Sequence, residues 1–355
     1  MNPGEFGSTG ISWSCPIGST ASGKITLAHG GGGTLMHKLI KDVFEKHFSN
    51  PYLRQHHDST VIDLGKVRVA FTTDSFVVKP IFFPGGDIGK LAVCGTLNDL
   101  AVAGACPLYL SAGFILEEGL GVDVLEKIVC SMRREADLAG VSIVTGDTKV
   151  IEQKAEDGLY INTSGIGIIK FEVPPSPKNI CRGDRIIING DIGRHGIAVL
   201  SARENITFEP VIESDCMNLA PAILSLYEAG VEVHCLRDCT RGGLATSLNE
   251  LAEESQLSFI IEEYSVPIKD EVRGACEILG LNPLYVANEG RFVAFVPEED
   301  VSNALDILKD LYPDFTPAEI GRVIDKQNSP VILRNYVGID TSLPMLSGEQ
   351  LPRIC

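Results

Sequence analysis

Apolar and polar positions alternate with a period of two in "KVRVAFTTDSFVV", which sets Val67, Val69 and Phe71 on one face and predicts a half-buried strand. In "GGDIGKLAVCGTLNDLAVAGA" the period lengthens: Ile88, Leu91, Ala92 and Gly95 recur at helical spacing, and Asp87 stands where an N-cap is wanted. "LYLSAGFIL" predicts a second strand, and "VDVLEKIVCSMRREADLAG" a helix closed by Gly140. "VSIVTGDTK" reads as a strand running into a loop, and "GLYINTSGIGII" completes the unit.

"FEVPPSPKNICRGD", with three prolines, marks a domain boundary. Beyond it, "DRIIINGDIGRHGIAVLSARE", "VEVHCLRDCTRGGLATSLNELAEES" and "LYVANEGRFVAFV" each set a strand beside a glycine-rich, charged loop. "NGDIGR" echoes "GGDIGK", so the expectation is two related α/β halves, residues 24–170 and 171–325. Residues 1–23 read as a disordered leader or an expression remnant. Residues 326–355 read as a tail, without helical or strand period from Gly338 to Cys355.

Composition agrees with two domains: 355 residues, 44% hydrophobic and 22% charged. A formal net charge of −17 and the lack of a basic stripe exclude a nucleic-acid footprint, but not a small phosphorylated ligand. No apolar run is long enough to span a membrane, and the first residues lack the pattern of a signal peptide. The ten cysteines are scattered without a tight CxxC pair, which points to the cytoplasm.

"GSTASGKI" fails as a phosphate loop, because Ile25 replaces the metal-binding hydroxyl and no strand precedes it. "LAHGGGG", Leu27 to Gly33, exposes consecutive amides that suit either an anion or a hinge. Asp74 ends a strand, Asn98 and Asp99 interrupt an apolar helix, Asp147 lies in "TGDTK" and Asp238 in "RDCTRGG". Carboxylates placed like this are what Mg²⁺ needs when it bridges a nucleotide's phosphates. Lys90 and Lys149 are candidate phosphate contacts, and Glu289 in "VANEGRF" is a candidate general base. The eighteen residues from Gly338 to Cys355 reach about 60 Å when extended, so the Cys355 thiol suits a swinging carrier arm.

"LAHGGGG", "TTDSFVVKPIFFPGGDIGKLAVCGTLNDLA", "FILEEG", "IVTGDTKV", "GDIGRHGIAVLSARE", "TRGGLA", "PLYVANEGR" and "PRIC" together resemble the HypE family of hydrogenase-maturation proteins, from about Ile25 to Cys355. The resemblance implies the two-domain α/β fold of aminoimidazole ribonucleotide synthetase and selenophosphate synthetase, dimerised through the N-terminal domains. It implies that Cys355 receives a carbamoyl group from the carbamoyltransferase HypF. ATP-dependent dehydration then gives a thiocyanate, and the cyanide passes to iron on the HypC–HypD complex for [NiFe]-hydrogenase. On this reading Cys355, Glu289 and Lys149 are catalytic. Lys90, Asn98, Thr145, Gly146, Gly30 and Gly31 contact the nucleotide, and Asp74, Asp99, Asp147 and Asp238 hold Mg²⁺. The alternatives are an ATP-dependent kinase or synthetase of the same fold acting on a free small molecule, and a non-enzymatic assembly scaffold.

Overall fold

The computed structural model describes residues 24–153 and 158–346. The expected leader and Cys355 lie outside the described residues. The chain enters through Thr34–Leu39 (α1) and Lys46–Phe48 (α2), which flank a wider π-helical turn at Ile40–Glu45. None of these elements has a buried residue. Polar contacts hold the segment down instead: His37 Nε2 lies 2.8 Å from Glu250 Oε1, and His56 Nδ1 lies 2.7 Å from Glu254 Oε1.

Thr60–Asp63 (β1), Arg68–Phe76 (β2), the short hairpin Phe82–Phe83 (β3) and Gly86–Asp87 (β4), and Ile88–Val102 (α3) follow. Ala105–Glu117 (β5), Val122–Ala139 (α4), Ser142–Ile151 (β6) and Leu159–Ile169 (β7) complete the first domain. Its five-stranded sheet has the order β1-β2-β7-β5-β6, antiparallel except for β5 beside β6. Asp87 caps α3 as expected, accepting from the amides of Gly89 (2.7 Å) and Lys90 (3.0 Å). Gly140, at φ 66°, ends α4 in the left-handed conformation that glycine adopts without a Cβ penalty.

Helix α3 buries nearly every residue because it is enclosed on all sides. It packs on β2, β5, β7 and α4 of its own domain and on α6 and β9 of the second. The opposite face of the sheet is uncovered, with Phe71 (46% exposed), Tyr109 (50%), Ile115 (45%) and Ile166 (38%) open to solvent. β2 is a strand as expected, but of the set expected on one face Val67 and Phe71 are exposed while Val69 is buried, and Ala70, Thr72 and Phe76 point inward.

The second domain contains Arg185–Ile188 (β8), Arg194–Glu204 (α5), Ala220–Glu228 (α6), Cys235–Asp238 (β9), Gly243–Ser255 (α7) and Ser258–Glu262 (β10). Asp270–Leu279 (α8), Phe292–Val296 (β11), Val301–Leu311 (α9), Ala318–Ile324 (β12), Val331–Arg334 (β13) and Asp340–Ser342 (β14) follow. The sheet order is β14-β13-β10-β12-β8-β11-β9. Both faces are covered, so its central strands read as continuous apolar runs rather than alternating ones. On β11, Val293 and Phe295 enter one core while Phe292, Ala294 and Val296 enter the other.

The two-domain α/β architecture is thus as expected, but the two halves differ in strand number and order. The "GDIG" echo marks only a similar turn into a helix, at α3 and at α5. The second sheet also continues past residue 325. β13 pairs in parallel with β10 and β14 closes the edge, so Val331–Arg334 and Asp340–Ser342 are strand where the sequence suggests tail. That pairing is long-range and leaves no local period.

Candidate active site between the domains

A cavity of about 380 Å³ opens where α3, the end of β2 and the loops of the second domain meet. β2 contributes Asp74, α3 Asp99, β9 Asp238, and the loop before β11 Glu289; Gly30, Asp58, Arg241 and His195 complete its chemical lining. Five of the expected residues, Gly30, Asp74, Asp99, Asp238 and Glu289, thus meet at one place from positions more than two hundred residues apart.

Asp58, Asp99 and Asp238 each bring a carboxylate oxygen within 4.8 Å of the others. Asp99 Oδ2 accepts from the Thr72 hydroxyl at 2.8 Å, and Asp58 Oδ1 accepts from Arg237 Nη1 at 2.7 Å. Asp58 Oδ2 is buried with no hydrogen-bond partner among the described residues, His57 Nδ1 standing 3.7 Å away. Burial pushes the Asp99 carboxyl well above the usual range, and the charges of Asp238, Asp58 and Asp74 add to it. Asp238 is raised first by burial and then by Asp58, against the pull of Arg237. Three converging hard oxygen ligands, one with an unanswered lone pair, suit a divalent cation that would relieve this repulsion.

Glu289 is half-buried at the cavity, and burial, followed by the charges of Asp238, Asp74 and Asp215, raises its carboxyl well above the ordinary value. Its backbone is held from three sides. Its N–H donates to Asp215 Oδ1 (3.3 Å), and its carbonyl accepts from Asn98 Nδ2 (3.2 Å) and the Met217 amide (3.4 Å). A carboxyl of raised proton affinity carried on a fixed backbone is suited to a general base.

Asn98 does not line the cavity. Its amide donates to the Met217 and Glu289 carbonyls, and its Oδ1 accepts from the Leu219 amide at 2.8 Å, so it clamps α3 to the second domain. Lys90 Nζ donates to the Gly85 carbonyl at 3.1 Å, outside the cavity lining. Thr145, Gly146, Asp147 and Lys149 lie on β6, exposed along nearly its whole length. Asp147 pairs there with Lys149 at 3.1 Å and is not brought to the other three aspartates. The two regions still adjoin: Ser75, Phe76 and Val77 line both the cavity and a groove of about 400 Å³ that carries Asp147 and Lys149. Asp58, in the polar stretch "QHHDST", and His195, in "GRHG", carry no sequence signal that singles them out.

Near the glycine loop, the Thr34 amide donates to the Leu346 carbonyl at 2.9 Å. A Cβ on Gly33 would come within 2.3 Å of that oxygen, so only glycine admits the C-terminal segment there. Tyr285 Oη donates to the Pro344 carbonyl (2.7 Å) and Asn249 Nδ2 to that of Leu343 (2.9 Å).

Residues 56–169 match the model of the AIR synthase related protein, N-terminal domain, and residues 182–334 that of its C-terminal domain. The carbamoyl dehydratase HypE of Rhodobacter capsulatus is 47% identical over 334 residues, covering 94% of this chain and 98% of the relative. A crystal structure of a HypE–HypF complex superposes with a TM-score of 0.82 at 44% identity, covering 87% of this chain and 99% of the other. HypE in complex with ATP gives 0.78 at 45% identity, covering 93% and 100%. Identity at this level across nearly the full length of both chains establishes that this chain belongs to the HypE carbamoyl dehydratase family.

Proposed function

We propose that this chain is an ATP-dependent carbamoyl dehydratase of [NiFe]-hydrogenase maturation, converting a carbamoyl group on the Cys355 sulfur to a thiocyanate. What supports this most is the path of the C-terminal segment. It is tied at Leu346 to Gly33–Thr34, beside the loop whose Gly30 lines the cavity. Cys355 is the ninth residue after Leu346, a reach of about 30 Å. A group on that sulfur is therefore presented at high effective concentration.

In the reaction, S–C(=O)–NH₂ loses its oxygen and two protons to become S–C≡N. ATP supplies the phosphoryl group that makes the amide oxygen a leaving group, ending as ADP and phosphate. Asp58, Asp99 and Asp238, with Asp74 beside them, would hold Mg²⁺ against the phosphates, where it neutralises their charge. Glu289 takes the N–H proton as the carbon–oxygen bond breaks. Lys149, in the adjoining groove, supplies positive charge to the oxygen or phosphate. Thr145 and Gly146 extend the nucleotide surface along β6, and Gly30 and Gly31 border it from the other side.

The uncovered apolar face of the first sheet supports a homodimer through the N-terminal domains. The solved HypE–HypF complex supports HypF as the donor of the carbamoyl group, and family membership supports delivery to HypC–HypD. Among the described residues no helix is long and apolar enough to cross a membrane, and the described cysteines are free thiols, which fits the cytoplasm.

Mass spectrometry of the C-terminal peptide tests the reading. A carbamoylated chain given Mg²⁺ and ATP should lose the mass of one water at Cys355 and release one ADP. Cys355→Ala should carry no group and show no loss. Loss of water without ATP, or at another residue, would overturn the proposal.

A further inference from the structure

We propose that His195 is a further catalytic residue: a neutral imidazole whose Nε2–H donates into the cavity, to the oxygen that dehydration removes. The proposal rests on the dehydratase reading above.

Gly193, at φ 90°, turns the chain into α5, and its amide donates to Asn288 Oδ1 at 2.7 Å. The Gly196 amide donates to the Ala287 carbonyl at 3.0 Å. The loop that carries Glu289 therefore also fixes His195. The imidazole stands edge-on to Phe83, with ring centroids 5.4 Å apart and planes at 90°. It is 1% exposed and lines the cavity.

Hydrogen-bond accounting assigns the tautomer. Nδ1 lies 2.9 Å from Ser214 Oγ, which also accepts the Cys216 N–H at 3.1 Å. Among the described residues the Ser214 hydroxyl proton has no acceptor other than His195 Nδ1. Ser214 therefore donates and Nδ1 accepts, which leaves the proton of a neutral ring on Nε2. Burial holds the ring's pKa down to about 4, so it is neutral at neutral pH. Nε2 has no partner among the described residues. It is an unpaired donor on an enclosed ring that lines a cavity rich in carboxylates, with Arg241 beside them.

That arrangement suits the chemistry. As the carbon–oxygen bond breaks, the departing oxygen gains negative charge while the nitrogen gives its proton to Glu289. Arg241 brings a cation to the same cavity, where its charge draws on Asp74 and Glu289. A neutral N–H remains available to the oxygen and needs no reorganisation when charge develops.

Two measurements test the inference. In ¹⁵N-histidine-labelled wild-type protein without ligands, the His195 ring should give the Nε2–H tautomer at neutral pH. The Nδ1–H tautomer, or a charged ring, would overturn it whether or not the chain is a dehydratase. In single-turnover dehydration of the carbamoylated chain, His195→Asn keeps a partner for Ser214 but has no donor at the Nε2 position. It should slow the chemical step about 10²- to 10³-fold with little change in ATP affinity. His195→Gln restores an N–H at that position and should recover most of the rate. Wild-type speed in His195→Asn, or equal loss in both variants, would assign His195 a structural role only. Absence of dehydration in the wild type would instead defeat the dehydratase reading and leave the tautomer result standing.

Discussion

The pattern that marks Asp99 and Asp238 as candidate metal ligands marks Asp147 equally well: an aspartate beside an apolar run and close to glycine. In the folded chain the first two are enclosed with Asp58, and burial followed by mutual repulsion pushes their carboxyls up. Asp147 stands on an open strand, and its hydrogen bond to Lys149 holds its carboxyl below the ordinary value. Residue type is the same in both places. Enclosure decides whether the charge is a source of strain that a cation relieves or a solvated ion in a surface pair.

The sharpest way to break this contrast is to remove charge from the enclosed side. Asp99→Asn or Asp238→Asn should lower Mg²⁺- and ATP-dependent turnover by about 10²-fold or more. Each should leave the melting temperature of the ligand-free chain unchanged or higher, because a repelled buried charge is gone. Turnover and thermal melts on the same preparations check it. A marked fall in melting temperature with turnover intact would mean that the cluster is structural.

On the open side, Lys149 is 69% and Asp147 71% exposed. Lys149→Ala should therefore shift the melting temperature by no more than about 2 °C. Turnover should fall roughly 10- to 100-fold if the adjoining groove belongs to the site. Unchanged turnover would confine the chemistry to the enclosed cavity.

The open face as a whole gives the next test. Ile166→Asp places a carboxylate between Phe71 and Tyr109, its cross-strand neighbours, without touching the covered core. By sedimentation it should weaken self-association about tenfold or more while far-ultraviolet circular dichroism stays unchanged. A wild-type chain that is monomeric throughout the measured concentrations would remove the dimer proposal.

Much of the first domain was legible because its signals are local. Asp87 caps and Gly140 terminates through contacts with their own helices, so their duties are readable from spacing. The face of β2 was not. A period of two separates Val67 and Phe71 from Ala70 and Thr72, but which set is covered depends on where α3 packs. Asn98 illustrates the same gap at the site. A polar residue in an apolar helix must have partners, yet only the fold reveals that they are backbone groups of Met217, Leu219 and Glu289. Asp58 was silent because the groups that give it meaning are distant in sequence: Arg237, 179 residues away, and the carboxylates of Asp99 and Asp238. His195 looked like part of a turn until Ser214 and the cavity surrounded it.

The smallest expected effect concerns how the entering segment is fastened beside the enclosed site. The hydrogen bond from His37 to Glu250 raises the imidazole above its ordinary value, with burial opposing. At Glu250 burial pushes the carboxyl up, but the His37 bond and the Arg237 charge outweigh it and hold it below. A raised histidine contributes stability that is complete below its unfolded value of 6.5 and is lost as pH rises through the raised value. A lowered glutamate contributes stability present above its unfolded value of 4.5 and lost as pH falls through the lowered one. The pair therefore fastens the segment best between about pH 4.5 and 6.5 and loosens above that range. The His37 side chain is 41% exposed, so solvent screening limits the effect to about 1 kcal/mol or less. Melts at pH 6 and pH 8, compared between wild type and His37→Gln, should show the wild type losing its advantage at the higher pH. An equal difference at both pH values would mean that the imidazole charge does not fasten the segment.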